Sequence, residues 1–314
     1  MIKFKNTEIT KVDFHSDNRL DRTYIYKVVF NGEVVHINKN SMGLFYGGQT
    51  GANSNKTTRI DSNGTQIGNE TSVGFTRDRL AGASIDQLGL FYGGRSGSYS
   101  NKTTRIDSSG TQIGNETIVG SARYWLAGAS VDIGLFYGGY TGSYSNKTTR
   151  IDSSGIQIGS ETSVGSARFG LAGASIDNLG LFYGGTTGSD INKTTRIDSS
   201  GTQIGSETSV GSARRTIAGA SVDQLGLFYG GQTDSNINKT TRIDSSGTMI
   251  GNETSVGSAR NALAGASIDN IGLFYGGYDG SYSNKTTRID ISGIQIGNET
   301  SVGSARNALA GASL

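Results

Sequence analysis

The chain has 314 residues, with no cysteine, no proline, two histidines and 49 glycines, and its charges nearly cancel at a net +2. Such a length can bury a large core, while the missing cysteines exclude a disulfide framework, a thiol nucleophile and a Cys-ligated zinc. Balanced charge leaves no polyelectrolyte footprint, so nucleic acid is not expected as a partner.

Residues 1–42 come first and stand apart. MIKFKNTEITKVDF alternates apolar and polar residues and carries Lys, Glu and Asp where a secretory signal needs a continuous apolar stretch, so no cleaved export signal is expected. No segment approaches the roughly 18 apolar residues of a membrane helix, so no membrane insertion is expected either. The stretch IKFKNTEITKVDFHSDNRLDRTYIYKVVFNGEVVHIN reads as two or three strands, with Asn31-Gly32 as a hairpin turn.

From residue 43 the chain repeats. GLFYGG begins at Gly43, Gly89, Gly134, Gly180, Gly226 and Gly272, a period of 46 residues with a single 45. Within a unit the apolar segments LAGASI and GLFY flank Asp86-Gln87 or its equivalents, which predicts a hairpin. KTTRID is rich in β-branched residues, and DSSG follows with Asp first and Gly fourth, as a type I turn prefers. A fourth strand is expected to run from Thr-Gln-Ile to Glu-Thr-Ser-Val, interrupted by a glycine bulge. Four short strands repeated six times, without a 3.6-residue period, predict an all-β, six-bladed propeller over residues 43–314.

The last residues, LAGASL, repeat the start of the inner hairpin. The first unit has no such strand before its own GLFY, so Leu309 to Ser313 is expected to pair beside Leu44 to Tyr46 and close the ring.

The repeated charges of the second unit, Lys102, Arg105, Asp107, Glu116, Arg123 and Asp132, are read as hydrogen bonds and ion pairs that fix the register of neighbouring units. GSYSNKTT lacks the glycine that a phosphate loop needs before its lysine. The DSSG turns lack calcium-loop spacing, and the NKT and NET sequons read as polar turns. Both histidines, His15 and His36, precede the repeats. No metal, cofactor or catalytic set is therefore expected, although paired carboxylates for glycoside cleavage are not lacking.

These repeats resemble the kelch family of propellers, whose pattern falls on Gly93-Gly94, Ile106-Asp107, Ile113 and Arg123, with Ile where that family usually carries Trp. The resemblance covers residues 43–314, lacks the His that often follows the Arg in that family, and implies a divergent, kelch-like propeller. TEITKV and VVFNGEVV are similar to short N-terminal modules of bacteriophage virion proteins, which dock a fibre or spike to the particle. That similarity implies a virion location, with residues 1–42 meeting other virion proteins.

Comparison among the six units shows where letters differ. One variable place is the pair after the repeated Arg, from Asp78-Arg79 to Asn307-Ala308; the other is the loop after the double glycine, from residues 49–54 to 278–283. In an up-down blade both emerge on one side of the disc. That face gathers Arg79, Tyr99, Tyr124, Trp125, Tyr140, Tyr144, Phe169, Arg215, Tyr278 and Tyr282. Drift in exposed loops explains variation but not a bias toward aromatics. The expectation is a non-enzymatic recognition face for a host-surface glycan or receptor, displayed in several copies or as a homo-oligomer. The other expectations are a structural virion spacer and an intracellular scaffold. Tyr46 and its equivalents are expected in the core.

Overall fold

A computed structural model describes residues 42–314 throughout and, before them, the strands Ile9–His15, Tyr24–Phe30 and Glu33–Val35. The chain divides into two compact units, Met1–Lys39 and Asn40–Leu314. In the first, the three strands form one antiparallel sheet in chain order, with Phe30 opposite Glu33. The Asn31-Gly32 turn between these partners lies outside the described residues.

The second unit is a six-bladed β-propeller: six antiparallel four-stranded sheets, with no helix among the described residues. Blade 2 shows the plan. Ala81–Ile85 is innermost, then Leu88–Tyr92 and Lys102–Asp107, and Thr117–Ile118 forms the outer edge. The fourth strand is shorter than the sequence suggests. The Gln112 segment makes only a single bridge to Ile106, and Gly114, at φ 64°, turns the chain away before two residues of the Glu-Thr stretch pair. The inner hairpins close on two residues in most blades, as between Ile85 and Leu88. Blade 3 instead closes from Ser130 to Gly134, with the Val131 amide donating to Ile133 O, and this missing residue accounts for the one 45-residue period.

Closure is made by strand exchange. Ala310–Ser313 pairs with Gly43–Tyr46 as the inner strand of blade 1, and Met42 and Leu314 exchange both backbone hydrogen bonds, at 2.8 and 2.9 Å. The sheet edge that blade 1 would otherwise expose is thereby paired.

The core lies between blades. GLFY is apolar on both faces because the strand is covered on both, as a central strand of stacked sheets must be. Each Tyr packs on the Phe of the next blade, as Tyr92 does on Phe136 with ring centroids 5.2 Å apart, and both are fully buried. Leu90, Ile106 and their equivalents fill the same layers. Tyr92 Oη donates to Ser121 O at 2.7 Å, so the buried hydroxyl is satisfied.

Polar clamps complete each interface. Arg123, fully buried, leaves blade 2 with its guanidinium 5.7 Å from the Tyr92 ring centroid and donates from Nη1 to Gly138 O and Lys147 O of blade 3, at 2.8 and 2.6 Å. Its Nη2 reaches Thr149 Oγ1 and Glu161. Glu161 answers by accepting from the Ser121 amide and hydroxyl, from Thr149 Oγ1 and from Lys147 Nζ. Lys102, Glu116 and Arg123 thus serve register. Asp107 instead caps its turn, accepting from the Ser109 and Thr111 amides, and Asp132 sits in its hairpin at φ 62°.

The glutamates make the ring sensitive to acid. Partial burial pushes their pKa up, but the serine, threonine and arginine donors outweigh it and hold Glu70, Glu161, Glu207 and Glu253 at about 2, against an ordinary 4.5. Glu299 is lowered in the same way, and Glu116, against its partial burial, is lowered by Thr104, Arg77, the Phe75 amide and Lys102. A depressed carboxylate contributes its full stability above the unfolded value and loses it as pH falls through the folded one. The melting temperature is therefore expected to hold from pH 7 to 5 and to drop steeply between pH 4.5 and 2. A calorimetric profile flat down to pH 2 would contradict these clamps.

Candidate functional site

The variable residues fall into register on one face. The double glycine turns each blade there with both residues at positive φ, 75° and 94° at Gly93-Gly94. The residue that follows pairs with the one after the buried Arg: Asp78 with Arg95, Tyr124 with Tyr140, Phe169 with Thr186, Arg215 with Gln232, Asn261 with Tyr278 and Asn307 with Gln49. Each pair exchanges two backbone hydrogen bonds, as Tyr124 and Tyr140 do at 3.3 and 2.9 Å. The fifth loop residue folds back opposite the first, as Tyr144 does on Tyr140 and Tyr99 on Arg95. Every blade thus presents a radial row of variable side chains on a fixed backbone.

The second residue of each variable pair stands innermost in its row, a placement that was not legible in the sequence. Arg79, Trp125, Gly170, Thr216, Ala262 and Ala308 surround the axis, all at φ between 52° and 68°. Their backbones form a closed ring: Trp125 N donates to Arg79 O at 2.8 Å, Gly170 N to Trp125 O at 2.8 Å, and so on round to Arg79 N on Ala308 O at 2.7 Å. The left-handed backbone, which costs an L-residue about 1–2 kcal/mol, belongs to the ring and not to any one side chain.

Side chains on neighbouring rows meet, and the pairs differ from junction to junction. Tyr99 of blade 2 stacks on Tyr124 of blade 3 with centroids 5.1 Å apart, and Tyr144 of blade 3 stacks on Phe169 of blade 4 at 5.6 Å. At the next junction Asp190 takes both carboxylate oxygens to Arg215 Nη1, at 2.7 and 2.8 Å. Beyond it Asn236 accepts from Asn261 Nδ2 at 2.9 Å.

Of the ten residues expected on this face, seven form one patch across blades 2 to 4. Tyr140 joins the two stacks edge-on, 5.6 Å from Tyr124 and 5.8 Å from Phe169. Arg79 lies over Trp125 at 5.5 Å and over Tyr124 at 6.0 Å. Tyr99 and Tyr144 are each 40% exposed, the others half-buried. Arg215 is held in its ion pair, and Tyr278 and Tyr282, 6.0 Å apart, form a separate pair on blade 6.

Asp78, a variable residue outside the ten expected on this face, also takes part. It is buried, its Oδ2 pairs with Arg79 at 2.8 Å, and burial raises its pKa against the pull of Arg79 and Arg95. Its variable position was visible; its burial was not. Beside Tyr144, a cavity of about 410 Å³ opens among Ser121, Thr141, Ser143, Asn146 and Lys147, so an aromatic wall adjoins hydroxyl, amide and ammonium groups. That volume suits a small polar ring. Among the described residues, no three His, Cys, Asp or Glu side chains are grouped to hold a metal.

No protein-family model matches the chain, and no curated protein matches it. The site therefore rests on its own geometry.

The junction pairs are expected to be energetically coupled. A double-mutant cycle with Asp190→Ala and Arg215→Ala, followed by urea denaturation, should give a coupling of about 0.5–1 kcal/mol. Additive losses would show the pair to be incidental.

Proposed function

We propose that this protein is a non-enzymatic recognition propeller of a bacteriophage virion, a fibre, spike or decoration component whose variable face meets a host-surface glycan or receptor. The observation that carries this reading is the continuous aromatic patch of Tyr99, Tyr124, Tyr140, Tyr144 and Phe169. It lies on the face where the repeats vary, and flat aromatic rings stack on sugar faces at low entropic cost. The cavity beside Tyr144 adds the Thr141 and Ser143 hydroxyls, while Ser121 and Lys147 at its wall stay bonded to Glu161.

A kelch-type assignment is supported by what its motif residues do here: the double glycine turns the variable face and the following Arg clamps two blades. Ile113, at the usual Trp position, is 37% exposed, so the perimeter departs from that pattern. The virion role is supported by the similarity of residues 1–42 to attachment modules; that segment would contact other virion proteins and the propeller would display. Several copies on one particle convert weak sites into avidity.

A second reading, a rigid virion spacer, is favoured at blades 4 to 6 by the Asp190–Arg215 and Asn236–Asn261 pairs, which satisfy one another and leave less for a ligand.

The test is a glycan and host-envelope binding screen of the protein beside a Tyr124→Ala, Trp125→Ala variant. Alanine already stands at the Trp125 position in two units, as Ala262 and Ala308, so the fold should persist, as circular dichroism would verify. Binding is expected to fall at least about tenfold in the variant. Undiminished binding would remove the patch from the site, and no binding by the parent protein would favour the spacer.

A further inference from the structure

We infer that the aromatic patch takes an anionic saccharide whose carboxylate or phosphate group meets Arg95; this rests on the glycan-binding reading above. Arg95 opens the loop of blade 2, exposed, and its strand pairs it with Tyr99. It also exchanges backbone hydrogen bonds with Asp78, at 3.1 and 2.9 Å. Its backbone is thus fixed from both sides, at the edge of the Tyr99–Tyr124 stack.

The charges around it do not cancel. Asp78 is engaged by Arg79, which is itself laid over Trp125 and Tyr124. Among the described residues Arg95 forms no ion pair, although its charge is felt by both Asp78 and Tyr124. Arg79 through its ion pair and Arg95 through its strand pairing thus bring two cations to one carboxylate, and that carboxylate is buried while Arg95 is exposed. The surplus positive charge stands beside rings fit to stack on a sugar. Across the face the loop of blade 5 carries an exposed acid, Asp234, and that of blade 6 carries Asp279, which pairs with Lys285 at 4.0 Å. A planar guanidinium holds a carboxylate or a phosphate through two parallel hydrogen bonds, which a neutral hydroxyl cannot match.

The experiment uses the full chain on an array of matched saccharides: sialyllactose with lactose, a glucuronate-terminated with a glucose-terminated disaccharide, and mannose 6-phosphate with mannose. Arg95→Gln is the informative variant, because Gln49 and Gln232 occupy this position in blades 1 and 5. The parent protein is expected to retain charged members over their neutral partners. Retention should fall about tenfold in Arg95→Gln and weaken with added NaCl. Whether the carboxylated or the phosphorylated pairs respond identifies the group recognised.

Equal retention of charged and neutral members, or unchanged retention by Arg95→Gln, would overturn the inference. If neutral sugars bind and the Tyr124→Ala, Trp125→Ala variant loses them, glycan recognition stands and only the role of Arg95 fails. If the folded parent protein retains no saccharide, both fail together.

Discussion

Six glycines meet around the propeller axis, and their separation leaves no room for a methyl group. A Cβ built on Gly82, Gly128, Gly173, Gly219, Gly265 or Gly311 would lie 2.2–2.3 Å from the carbonyl oxygen of the neighbouring blade's glycine. The inner strands can approach this closely only with the small Ala-Gly-Ala-Ser sequence, and that approach sets the curvature of the whole ring. Two further rings bracket the glycines. On the variable face the backbones from Arg79 to Ala308 bond in sequence, and toward the other end each serine amide donates to the next blade's serine hydroxyl, as Ser130 N does to Ser175 Oγ at 2.6 Å. Both rings close across the exchanged strand, through Arg79 on Ala308 and Ser313 on Ser84.

This constraint explains why the units are so alike. An inner strand pressed on both neighbours, a GLFY strand buried on both faces and an Arg–Glu clamp shared by two blades leave few positions free to differ. Freedom survives where side chains leave the stack, at the loop after the double glycine and at the link between blades. There the changes are matched across junctions: aromatic with aromatic at Tyr99–Tyr124 and Tyr144–Phe169, acid with base at Asp190–Arg215, amide with amide at Asn236–Asn261. The face is thus both adjustable and internally supported, which suits a recognition surface whose side chains must be held before a ligand arrives.

Much of this was legible in the sequence because it repeats. The 46-residue period, the turn residues and the final LAGASL specified six blades and their closure, and the shared side of the two variable segments followed from strand alternation. The fourth strand was less legible, since Gln112 and Ile113 have strand-like composition while the chain actually departs at Gly114. The left-handed ring was hidden as well: only Gly170 hinted at it, among Arg, Trp, Thr and Ala at the same place. The cross-blade pairs escaped because comparing equivalent positions aligns Tyr99 with Asp190, whereas the structure sets Tyr99 against Tyr124. Burial of Asp78 beside two arginines is a tertiary property that no local pattern carries.

The most direct test of the account is the melting temperature of Gly173→Ala. The backbone there is not left-handed, so strand propensity alone would make alanine neutral or stabilising. The opposite sign is expected, because the new methyl would meet Gly128 O at 2.2 Å. Such overpacking costs about 1–3 kcal/mol or more, so the melting temperature should fall by several degrees. A variant that melts with or above the parent protein would show that the glycine contact at the axis does not govern the ring.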